Sequence, residues 1–131
     1  MTAPTKAELN EMFALAVMGW EKQEPPRSRD GMGAHWEGAR YFYYDPRDPN
    51  PRGRPVGTFR PTERLEDAFA GLLNSSTHWF QWNVSRSVDG RHYASVTTDS
   101  HGRKWFHAND RELCMALVIC QLRAVGAMEE R

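Results

Sequence analysis

Residues 112–126, "ELCMALVICQLRAVG", set the strongest constraint on the fold. Leu113, Ala116, Leu117 and Cys120 make one apolar stripe at helical spacing, and Met115, Val118, Ile119 and Leu122 widen it. A helix apolar over so broad an arc cannot lie on a surface with one side in water. It has to be the central helix, covered on more than one side. Asn109 and Glu112 read as its N-cap pair, and Gly126 is its stop. Arg123, near the carboxyl end, complements the helix dipole.

The elements that cover it follow from local signals. "TKAE" at 5–8 is a capping box with Thr5 as N-cap and Glu8 three residues on. Leu9, Met12, Phe13, Ala16, Val17 and Trp20 then predict an amphipathic helix over about 6–20, with Gly19 a blemish in it. Residues 21–38 carry Pro-Pro and three glycines and read as a loop. "ARYFYY" at 39–44 is a strand. The stretch 45–60 is rich in Pro and Arg and reads as a long surface loop. Thr62 is the expected N-cap of a second helix whose buried stripe is Leu65, Phe69, Leu72 and Leu73. Glu63, Glu66 and Asp67 favour its positive end.

Residues 78–108 form a β-meander. Phe80, Trp82 and Val84 alternate with Gln81, Asn83 and Ser85, so one face is apolar and Trp82 belongs to the core. Asp89-Gly90 marks the turn. A three-residue loop, Val88-Asp89-Gly90 with Gly90 left-handed, pairs Val84 with Ala94 and Trp82 with Val96 and keeps the apolar residues on one side. A further turn at Ser100-His101-Gly102 leads into Lys104–His107. The expected fold is α+β: a single domain over 1–131 in the order α-β-α-β-β-β-α, with an antiparallel meander and an extra strand packed by three helices as an αβα sandwich.

Composition excludes several functions. Lys+Arg and Asp+Glu both number 17, and a net charge of zero argues against a nucleic-acid coat or a membrane-surface protein. No run of eighteen apolar residues occurs, and the opening "MTAPTKAELNEM" has no apolar signal core. A soluble protein in the cytoplasm is expected. Cys114 and Cys120 fit neither a CxxC nor a metal pair, and read as buried free thiols. The five histidines show no HxH, HxxxH or HExxH spacing, so no metal is expected. Asp99, Ser100 and His101 are neighbours on an extended chain, point to opposite sides, and cannot line up as a triad. No catalytic residue and no cofactor is expected.

What remains is binding. Trp79, Trp105, Arg91, His101, Arg103 and Lys104 in the meander, with Arg52 and Arg54 in the 45–60 loop, are the candidate ligand-binding residues. Aromatic planes with interleaved guanidinium groups suit nucleobases and phosphates. The competing reading is that the tryptophans fill the core and the arginines sit on solvated turns.

Several strings resemble the phage ABA sandwich domain family, small proteins encoded by phages and prophages. "LAVMGW" is similar to the family's Val-Met-Gly-Trp, and "YYDP" ends an aromatic strand. "FRPTERLEDAFAGL" resembles its Phe-Ser-Thr-Asp helix start, and "ELCMALVICQLRAVG" its closing helix, with Val118 and Gln121 where alanine is usual. The resemblance implies a sheet with helices on its faces; it does not imply a catalytic residue. Two functions are then expected candidates. One is a non-enzymatic phage accessory protein, a homo-oligomer that captures a small anionic, nucleotide-like ligand as a sponge against host immune signalling. The other is a protein-interaction module that presents Arg52 and Arg54 to a host or virion protein.

Overall fold

The capping box opens helix α1 (Lys6–Met12) as predicted: the Glu8 N–H donates to the Thr5 hydroxyl at 3.2 Å and the Thr5 N–H to the Glu8 carboxylate at 3.4 Å. This computed structural model describes residues 3–23, 41–48, 53–73, 79–99 and 103–129. The helix does not continue regularly to residue 20. Phe13–Val17 widens into a π-type turn, with the Met18 N–H donating five residues back to Phe13 at 3.0 Å. Gly19, at φ +73°, then turns the chain out while the Trp20 N–H caps the Ala14 carbonyl at 3.0 Å. Gly19 is thus the terminator, because a left-handed residue ends the helix and glycine adopts it without a Cβ clash. The wider turn buries Ala14 and Met18 with Leu9, Phe13 and Val17, and leaves Ala16 half-buried.

The expected loop at 21–38 begins with a strand. β1 (Glu21–Gln23) pairs antiparallel with β2 (Phe42–Tyr44), and β2 pairs with β3 (Arg54–Pro55) inside the proline-rich stretch. The extra strand is therefore the centre of a three-stranded sheet. Polar, exposed β1 has no alternation to betray it; its partner's backbone defines it. Pro55 is tolerated because β3 is an edge. A 3₁₀ turn, Val56–Thr58, follows. Tyr43 and Phe59 carry this sheet into the core, their rings meeting edge-on at 6.3 Å, and Trp20 packs on Phe59 at 4.7 Å.

Helix α2 (Leu65–Leu73) starts later than expected. Thr62 is no N-cap: it is buried, its N–H donates to the Asn10 side chain at 3.0 Å, and its hydroxyl has no partner. The first turn is organised by Asp67, which is only 4% exposed. Asp67 accepts the Arg60 N–H at 2.9 Å and the Arg54 guanidinium at 3.2 Å, while Arg54 also donates to the Thr58 carbonyl at 2.8 Å. The expected stripe is rotated. Asp67, Ala68, Gly71 and Leu72 are buried, whereas Leu65 and Leu73 are exposed.

The meander is strand β4 (Gln81–Arg86), β5 (His92–Thr97) and β6 (Phe106–Asp110). Its hairpin register is the predicted one, Val84 opposite Ala94 and Trp82 opposite Val96, with Gly90 at φ +87°. The last strand lies later than expected and takes in Asn109, so Asn109 caps nothing. Helix α3 (Leu113–Ala124) instead starts where Glu112, without a side-chain cap, donates its N–H to the Asp110 carboxylate at 2.9 Å. Gly126 ends the helix at φ +80°.

The fold is α+β, with three helices and a meander as expected, and two sheets of three strands among the described residues. α3 lies across β5 and β6 on one side, and meets α2 and the π turn on the other. The helices cover one face of the meander, and its other face is open among the described residues. No helix there is long and apolar enough to cross a membrane. Buried Gln121 ties α3 to α2 by donating to the Ala68 carbonyl at 3.1 Å.

A methyl group on Gly71 would collide with the Gln121 carbonyl and the Phe13 ring. Gly71→Ala is therefore expected to destabilise by about 1–3 kcal/mol, read by urea unfolding. Asp67→Ala, which leaves part-buried donors without an acceptor, is expected to cost about 1–3 kcal/mol in the same experiment.

Candidate binding face

The meander's register sorts its side chains by parity. Even-numbered Val84, Ala94, Val96, Phe106 and Ala108 face α3 and the core cluster. Toward the hairpin end, odd-numbered residues project from the open face in two rows, Asn83–Ser95–His107 and Ser85–Tyr93–Asn109, whereas odd-numbered Thr97 at the other end is fully buried. Cross-strand neighbours stand about 4.7–4.9 Å apart and the rows about 7 Å apart. The six side chains line a shallow depression of about 80 Å³. Tyr93 leaves 42% of its surface to solvent, so its ring is available for stacking.

Arg91 stands at one end of this array. Its Nε and Nη2 donate to the Asn109 side-chain oxygen at 3.0 and 2.6 Å, and its own N–H is held by Asp89 at 3.2 Å. The contact is the diagonal one between neighbouring strands. It fixes the guanidinium near the Tyr93–Asn109 pair and leaves other donors of the fork open.

The sequence-predicted site residues do not converge. Trp79, Lys104 and Trp105 lie at the far end of the meander from Arg91, at least six residues of strand away along β5, or roughly 20 Å. Trp79 is half-buried and donates its indole N–H to the Gly71 carbonyl at 2.6 Å, so it anchors α2 instead of presenting an open ring. Trp105 is also half-buried. Lys104 lies over the Phe106 ring at 5.1 Å, and its carbonyl accepts the Thr97 hydroxyl at 2.6 Å. Arg103 is exposed beside them. Arg54 belongs to the Asp67 clamp and lies over Phe59 at 4.9 Å, so its charge is engaged inside the fold. His101 and Arg52, with Ser100 and Gly102 of the expected turn, lie outside the described residues.

Trp82 reverses its expected place. It is 42% exposed and meets the Phe69 ring at 5.7 Å, and Phe80 beside it is 56% exposed. The reason is topological: β4 is an outer strand, and α3 covers β5 and β6. Leu65, Phe69 and Leu73 recur every fourth residue on α2, so they share a ridge that continues this apolar flank.

The open polar face was within reach of the sequence. The predicted pairing of Val84 with Ala94 already places Ser85 opposite Tyr93 and Asn83 opposite Ser95. Among the described residues, no three His, Cys, Asp or Glu side chains gather where they could hold a metal ion. Cys114 and Cys120 are free thiols. Burial pushes the Cys120 thiol up to about 12 and raises that of Cys114 as well.

No family model, no curated protein and no solved structure matches this chain.

Only the thiolate alkylates at a useful rate. Iodoacetamide at neutral pH is therefore expected to leave Cys120 unmodified in the folded protein and to modify it after denaturation, as read by peptide mass. Labelling of native Cys120 as fast as a free thiol would contradict its place in the core.

Proposed function

We propose that the chain is a non-enzymatic accessory protein that holds a small anionic, nucleotide-like ligand on the open face of its meander. One observation carries this reading. An exposed Tyr93 ring is set among Asn83, Ser85, Ser95, His107 and Asn109, with Arg91 fixed at the end of the array. Each group has a part in such recognition. The ring offers a stacking surface that any base can use. The amides and hydroxyls can donate to or accept from a base edge or a ribose. The guanidinium offers a planar, always-charged fork to a phosphate.

The shallow depression also restricts the mode of binding. Sites that engulf a small molecule span roughly 300–1,000 Å³, whereas this one holds about 80 Å³. The ligand would lie across the strands in contact with the floor. The resemblance to the phage ABA sandwich family supports assigning the role to a phage or prophage, where capture of a host immune nucleotide signal needs binding alone.

A thermal-shift screen against cyclic and linear nucleotides tests the reading. At least one is expected to raise the melting temperature. Tyr93→Ala is expected to weaken that ligand by about 1–3 kcal/mol, the contribution of one stacked base, and Arg91→Ala to reduce discrimination for the phosphorylated form. Melting temperatures that stay flat across the panel would overturn the proposal.

A further inference from the structure

Strand β4 has an open side. It is the outer strand of its sheet and pairs with β5 alone among the described residues. The Ser87 N–H donates to the Arg91 carbonyl at 2.9 Å, in the same register that sets Gln81 opposite Thr97. Hydrogen-bonded pairs alternate along an antiparallel ladder. The backbone groups of Asn83 and Ser85 therefore serve β5, and those of Trp82, Val84 and Arg86 point to the open edge. Natural edges are blunted by lysine, proline, bulges or shortness. β4 runs six residues, "QWNVSR", with neither lysine nor proline and Arg86 as its one charge. Its flank carries exposed Phe80 and Trp82, with exposed Leu73 one helical turn beyond the Phe69 that meets Trp82, and Val88 at the hairpin tip.

We infer that this edge pairs with β4 of a second copy of the chain, antiparallel about a two-fold axis through Val84. Parity selects an axis of this kind. The free backbone groups and the apolar side chains of β4 both fall on even-numbered residues, so the axis passes through a residue and not between two. Placed at Val84, it sets Trp82 opposite Arg86 of the second copy and Val84 opposite its own equivalent. Every free N–H and C=O of Trp82, Val84 and Arg86 then finds a partner. Trp82 gains a guanidinium over its ring.

Area and charge favour a second copy as the occupant. A half-exposed aromatic side chain leaves about 100 Å² uncovered. With Leu73 and Val88, the flank offers roughly 300–400 Å² of apolar surface toward the ~800 Å² that each partner of a stable pair buries. The ladder and the polar rim would supply the remainder. The chain has a net charge of zero, so two copies meet without overall repulsion. The result is one continuous six-stranded sheet from two three-stranded ones. On its open face, Asn83 would lie opposite Ser85 of the second copy, joining the two polar arrays into one floor. The pairing stands on the edge and its flank, and is independent of what that floor binds.

The test is the mass of the full chain in solution, by light scattering over a range of concentrations. The wild type is expected at twice the chain mass. Trp82→Lys, at an exposed position, and Arg86→Pro, which removes an outward amide without touching the β5 ladder, are each expected to give monomers. Both should keep their far-ultraviolet circular dichroism. Hydrogen exchange supplies a second readout: the Val84 amide should be protected in the wild type and exchange quickly in Trp82→Lys. A monomeric wild type would sink the inference, and so would a dimer that persists in Trp82→Lys with the Val84 amide unprotected. If Arg86→Pro fails to fold, Trp82→Lys alone decides.

Discussion

Water must be kept from nearly every side of α3. Leu117, Val118 and Leu122 are at most 1% exposed, and Ala116 and Cys120 are fully buried with them. Burying a Leu or Val side chain contributes about 1.5–3 kcal/mol, so exposing any one of these three would remove a sizeable share of the roughly 5–15 kcal/mol net stability usual for a domain. No single layer can cover such a helix. The meander takes one side through β5 and β6; α2 and the π turn take the other. The π turn follows from the same demand, since it swings Ala14 and Met18 inward to join Phe13 and Val17 in the core.

The cost of that arrangement shows in two buried polar groups. Gln121 donates to carbonyls on α2 and on its own helix, but its oxygen finds no partner. It fits only because Gly71 has no side chain. Asp67 is buried too, and its charge is met by Arg54 and Arg64 with the Arg60 N–H, which pins the 54–60 segment to the start of α2. An arginine drawn into such a clamp is not available to a ligand. The abundance of arginine in the sequence thus overstates the cationic surface that the fold presents.

The two faces of the meander have separate consequences. One is sealed by α3 and contributes stability. The other is polar, and its side chains stand in rows fixed by strand register, so their spacing is as rigid as the sheet. Because α3 is centred over β5 and β6, β4 is left with an apolar flank that the described chain covers only in part, through Phe69 of α2. The polar face and the exposed flank therefore have a common origin in where one helix lies.

Much of this was legible in the sequence. The Thr5 capping box, the Gly126 stop, the register of the first hairpin and the central place of α3 all rest on signals between near neighbours, or on a single strong periodicity. The polar rows followed from that register by counting. What the sequence alone could not decide was which side of each element would be covered. An alternating strand has the same pattern at a sheet's centre as at its edge, so Trp82 read as core although β4 is outermost. The apolar residues of α2 fit two adjacent stripes, and contact with α3 selected Ala68, Gly71 and Leu72 over Leu65 and Leu73. Local spacing determines which element forms. Burial depends on neighbours distant in sequence, and only the assembled structure supplies them.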